Sequence, residues 1–70
     1  MTKYLIEVFW SDEDQGFIAI APDLPGCSAF GETAAEAVRE LDEAQSAWIE
    51  ACRSSGDPIP APMAKARHAA

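Results

Sequence analysis

Histidine, cysteine and basic side chains are all scarce in this chain, and it has no long apolar run. Its 70 residues include one histidine, two cysteines and five lysines or arginines against twelve acids. The single His68 sits in an alanine-rich terminus, so Cys–His or Ser–His nucleophilic arrangements have no support. Cys27 and Cys52 lack CxxC spacing and are too few for a zinc site. They read as small buried hydrophobes of a reduced compartment, with a bridge between them left open. No apolar stretch approaches the ~20 residues that a membrane helix needs, and the apolar residues after Lys3 end at Glu7. The expectation is a soluble, cytoplasmic protein with neither a membrane span nor a signal peptide. No internal repeat is visible.

Seventy residues hold one small domain and no second core. Below about 80 residues a single core contributes only a few kcal/mol, and such domains are often completed by partner subunits. The charge is uneven. Residues 1–57 carry all twelve acids against Lys3, Arg39 and Arg53, a balance of −9, and Lys65 and Arg67 return the whole chain to −7. A body of that sign repels phosphate backbones and attracts a basic partner, or simply stays in solution.

What is present in quantity is punctuation. Pro22-Asp23-Leu24-Pro25-Gly26-Cys27 places two prolines and a glycine in five positions. The prolines fix φ and push Ala21 and Leu24 into extended geometry, and Gly26 allows a positive φ. The segment is therefore a rigid connector. Before it, residues 3–10 alternate as a strand, with Tyr4, Ile6, Val8 and Trp10 on the core face and Leu5 and Phe9 left on the other. The Ser11–Gly16 turn joins this strand to an antiparallel one over Phe17–Ala21, and Cys27–Phe30 makes a third.

Thr33 with Glu36 three residues on is a capping box at the start of a helix. Ala34, Ala37, Val38, Leu41, Ala44, Trp48, Ala51 and Cys52 form its apolar stripe, interrupted by Gln45. Gly56 and Pro58 end it. At about 20 residues the helix spans ~30 Å, longer than the strands, so one end overhangs or meets a partner. Asp57–Pro62 alternates with proline and is extended. Ile59 there either docks a short fourth edge strand or caps the sheet margin. The predicted fold is α+β: a three-stranded antiparallel meander covered by one long helix, with that optional fourth strand. The domain covers 1–62, and 63–70 read as a disordered basic tail.

No residue set here reads as catalytic, cofactor-binding or metal-binding. Asp12-Glu13-Asp14 lacks the ligand spacing of a calcium loop and reads as a solvated acidic turn. Asp23 reads as a turn-former, and strand one offers only Glu7 toward a two-metal nuclease site. Trp10, at a strand end beside the acidic turn, is either core or an interface anchor. The candidate partner-binding residues are Trp10, Asp12, Glu13, Asp14, Asp23 and Leu24. Pro22, Pro25, Gly26, Thr33, Glu36 and Trp48 are structural. The small core, the first strand with apolar residues on both faces, and the long helix predict a homo-oligomer, a dimer or tetramer.

The segments Gly16–Ala19, Pro22–Cys27 and Gly31–Ala37, with the later Trp48-Ile49-Glu50 and Gly56–Pro60, resemble the HicB antitoxin family over residues 3 to about 62. The resemblance implies a strand-strand-strand-helix-strand unit, a partial ribonuclease H fold without the full set of catalytic acids. It also implies a non-enzymatic protein that binds a small basic HicA-like toxin, an RNA-cleaving enzyme, and occludes its active site. Family members that repress their own operon carry a C-terminal DNA-binding domain. Only about a dozen proline- and alanine-rich residues follow the helix here, too few for such a module, so direct nucleic-acid binding is not expected. Two rival readings are a stand-alone ligand-binding or regulatory module of the same fold, and a degenerate nuclease using Glu7 and Asp23.

Overall fold

The computed structural model describes residues 4–64. Three strands, β1 (Glu7–Ser11), β2 (Gly16–Ile20) and β3 (Ser28–Gly31), form an antiparallel sheet in the order β1-β2-β3, and α1 (Ala34–Ser55) follows. The α+β meander and covering helix match the sequence-based expectation.

The element bounds differ from it for local reasons. β1 begins at Glu7, four residues later than its alternation suggested. The ladder needs a partner beyond Ile20, but Ala21 is engaged by the connector: its N–H donates to Cys27 O (3.1 Å) and its carbonyl accepts from Leu24 N (3.0 Å). At the other end of the hairpin, Gln15 rather than Gly16 takes the left-handed conformation (φ 53°). Gly16 instead opens β2, opposite Ser11.

The connector is two consecutive turns. A second link, Cys27 N to Leu24 O at 2.9 Å, closes a turn with Pro25 at its second position and Gly26 (φ 79°) at its third. That is the type II requirement of proline followed by positive φ. The exposed prolines face outward, while Leu24 is driven inward and is fully buried.

Residues directly opposite in the ladder share a face. Val8 and Trp10 therefore stand with Phe17, Ala19 and Ala29 on the helix side, and Phe9 stands with Ile18 and Phe30 on the open side. The core gathers Tyr4, Ala19, Ala21, Leu24, Cys27, Ala37 and Leu41, with Ile6, Phe17, Ala29, Ala44, Trp48 and Ile49 packed around it. Small residues at the sheet–helix contact let the layers approach closely. A Cβ on Gly31 would lie 2.3 Å from the Ala37 backbone nitrogen, so only glycine fits where α1 crosses β3.

The helix packs chiefly on β3 and β2 and barely touches β1. Tyr4 and Ile6 of the expected core face are accordingly covered, but Val8 and Trp10 are not (37% and 49% exposed). Within α1, Gln45 is buried as part of the stripe and Ile49 joins the core, while Ala34 and Ala51 face outward.

Thr33 caps the helix, accepting from Glu36 N at 3.1 Å. Glu36 reaches back one residue further than a standard capping box, to Glu32 N at 2.9 Å. Gly56 (φ 78°) closes the other end, with its N–H on Arg53 O and that of Asp57 on Cys52 O, a Schellman arrangement.

No fourth strand is assigned among the described residues. Pro58, Pro60 and Pro62 remove alternate amide donors, and the 57–64 segment is held by side chains instead. The Tyr4 hydroxyl donates to Pro60 O. The Asp23 carboxylate accepts the Met63 and Ala64 amides at 3.0 Å each. These first two residues of the expected tail are thus tied to the connector, and the remainder of that tail lies outside the described residues.

Candidate partner-binding surface

The six candidate partner-binding residues fall at opposite ends of the sheet. Trp10, Asp12, Glu13 and Asp14 lie at the β1–β2 hairpin. Asp23 and Leu24 lie in the β2–β3 connector. They do not form one surface, and the two groups have different environments.

At the connector, Leu24 has no exposed surface and belongs to the core. Asp23 is the latch for the C-terminal segment through both carboxylate oxygens. Trp48 reaches across from the helix, and its indole N–H donates to Pro25 O at 3.0 Å, fixing the connector to α1. Cys27 is buried beneath, and burial pushes its thiol above the usual value. Cys52 is half-buried at the helix end, its thiol directed at Asp57 O and Pro58 O (3.4 and 3.2 Å), and both cysteines are free thiols.

The hairpin is exposed and charged. Ser11 Oγ donates to Asp14 Oδ2 (2.9 Å) and accepts from Asp14 N (3.3 Å), and the Gln15 side-chain amide donates to Asp12 O (2.6 Å). These short-range bonds suit Ser and Asp, whose short side chains bond backbone within a turn. They shape the loop so that three consecutive carboxylates sit on its tip. Trp10 is fixed beside them by two contacts. Its indole N–H donates to Asp12 Oδ1 at 2.8 Å, and its ring meets Phe17 edge-on, with centroids 5.3 Å apart at 78°. Sequence reasoning singled out Trp10 and the acids but not the bond that joins them.

Two further surface features stand out, the first signalled in the sequence only by Phe9 on the second face of strand one. One is the open face of the sheet, where Phe9, Ile18 and Phe30 are directly opposed across all three strands and Phe9 and Phe30 are about half exposed. The other is a groove of about 270 Å³ between α1 and the segment leading into β1, lined mainly by Tyr4, Ile6, Val38, Leu41 and Gln45. Register and helix placement create both, so the pattern along the chain marks only the Phe9 part of them.

Glu7, opposite Ile20 on the open face, and the latched Asp23 are the two acids a nuclease reading requires. Among the described residues no group of three or more His, Cys, Asp or Glu side chains is arranged to hold a metal ion. None of the described helices is long and apolar enough to cross a membrane.

Comparison with known proteins places the chain in a family. The family described as the HicB-like antitoxin of bacterial toxin–antitoxin systems matches residues 4–70. The chain belongs to the HicB-like antitoxin family. A relative in Thermoplasma acidophilum, the UPF0150 protein Ta0767, is 36% identical over 58 residues, which is 83% of each chain. No solved structure matches significantly. The family match covers the hairpin, the connector, the capped helix and the latched C-terminal segment, and so includes both ends of the sheet.

Proposed function

We propose that this HicB-like protein neutralises a small, basic, HicA-type RNA-cleaving toxin by covering its active site, and that it acts as a homo-oligomer. It works by binding rather than by catalysis, and the toxin is the enzyme. The observation that carries this reading is the hairpin tip. Asp12, Glu13 and Asp14 concentrate negative charge beside an exposed tryptophan that is already held in one orientation. A toxin that handles RNA presents a basic surface, and complementary charge speeds and orients association. A rigid aromatic next to the charge is the kind of residue that dominates binding energy. The chain's net charge of −7 supports the same choice of a basic protein over nucleic acid.

Co-expression with any small basic protein encoded beside it tests the proposal. Growth should be restored and the two proteins should co-purify, and failure of both would overturn the toxin reading. A stand-alone ligand-binding role is the second reading, favoured by the groove beneath Tyr4 and Val38. It gains if no such neighbour is encoded and a small molecule raises the melting temperature of the wild type but not of a Val38→Trp variant.

A further inference from the structure

β1 is an edge strand with three consecutive apolar residues in the open: Val8 (37% exposed), Phe9 (48%) and Trp10 (49%). Because successive side chains of a strand point to opposite faces, this exposure lies on both sides of the sheet. A partner resting on the open face covers Phe9 alone, and one resting beside the helix covers only Val8 and Trp10. A further strand alongside β1 covers all three.

Exposed edges are usually protected by a lysine, a proline, a bulge or shortness. β1 has none of the first three, and its one charge, Glu7, lies at the strand's start: its sequence is Glu-Val-Phe-Trp-Ser, paired with β2 without interruption. The opposite edge, β3, is shorter and runs directly into the N-terminus of α1. There the Phe30 ring lies against the Gly16 backbone, where a Cβ would approach it to 2.4 Å.

We propose that β1 pairs with β1 of a second copy, antiparallel about a two-fold axis at Phe9, merging two three-stranded sheets into one of six strands. This deepens the self-association reading above and does not depend on the toxin. The strand is complementary to itself in this register. Val8 faces the second copy's Trp10 twice, and Phe9 faces Phe9, the β-branched–aromatic and aromatic–aromatic pairs that stabilise sheets. Glu7 faces Ser11, so no like charges are opposed. The two Glu7 carboxylates lie at opposite ends of the seam, roughly 14 Å apart at the rise of an extended strand and beyond the screening length at physiological salt. The acidic residues 12–14 fall outside the paired strands. Both helices then lie on one side, and the Phe9–Ile18–Phe30 row doubles in width on the other.

The test places cysteines at facing positions. In a Cys27→Ala/Cys52→Ala background, Glu7→Cys combined with Ser11→Cys should give a covalent dimer on mild oxidation. Facing residues are about 4.5–5.5 Å apart between Cα atoms, within disulfide range. Residues 7 and 11 of one strand are roughly 14 Å apart and cannot bridge within a chain. Either cysteine alone should leave the chain uncrosslinked. Val8→Glu should weaken the dimer at least about tenfold in sedimentation equilibrium with helix content unchanged, and Phe30→Glu should not. A wild-type monomer on the order of 100 µM would overturn this pairing together with the homo-oligomer reading. An oligomer that resists crosslinking, or that Phe30→Glu dissociates instead, would overturn the β1 pairing alone and move self-association to the open face.

Discussion

The two ends of this sheet are built on different principles. At the connector end the backbone groups of Ala21, Leu24 and Cys27 bond one another, Trp48 and Asp23 add side-chain ties, and Leu24 is sealed in the core. At the hairpin end the hydrogen bonds stay within the loop, and a tryptophan and three carboxylates are left facing water. The first end joins sheet, helix and C-terminal segment. The hydrogen bonds of the second run within the hairpin, and its exposed side chains are available to another molecule. Sequence conspicuousness is a poor guide to this difference: the proline-bracketed motif stands out most, yet its central residues are tied into the fold, whereas the exposed acidic surface is an ordinary-looking turn.

Substitutions at each end should separate accordingly. Leu24→Ala empties a fully buried site and should cost about 2–5 kcal/mol in chemical denaturation, the range for core truncation. An effect below about 1 kcal/mol would show that the connector is not part of the core. Asp23→Ala should cost about 1–2 kcal/mol, because it removes a charged acceptor shared by two partly exposed amides. Its signature is faster hydrogen exchange at Met63 and Ala64, and unchanged exchange there would mean the latch does not hold in solution. Thr33→Ala should cost about 1 kcal/mol by loss of the cap; an unmoved midpoint would place the helix start elsewhere. Replacing Asp12, Glu13 and Asp14 by Asn, Gln and Asn should shift stability by no more than about 0.5 kcal/mol. The same triple variant should slow association with a basic partner, most visibly at low salt. A large loss of stability there would erase the contrast between the two ends.

Local chemistry made much of the fold legible. The cap at Thr33, the αL glycine at Gly56 and the positive φ of Gly26 each depend on residues within a few positions, so their sequence signatures were sufficient. The candidate site was less legible. Asp23 and Leu24 stand among the sequence-based candidates with Trp10, but strand direction carries them to the far end of the sheet. Gln45 looked like a flaw in the helix stripe and is buried, since a stripe says which face turns inward and not how deeply each position sits. The fourth strand was left open by the sequence, and the alternating prolines explain why side chains rather than a ladder hold that segment.

By itself the sequence determined the order of elements, the helix ends, the shape of the connector and the acidic character of the chain, because these follow from neighbours along the backbone and from composition. Tertiary structure alone decided that α1 lies chiefly over β2 and β3 and leaves β1 partly exposed on both faces, that Asp23 reaches Met63 and Ala64 across 40 and 41 residues, and that Phe9, Ile18 and Phe30 line up. Those facts depend on where one packed layer comes to rest on another, and small residues such as Ala19, Gly31 and Ala37 set that position through close approach rather than through any pattern readable along the chain.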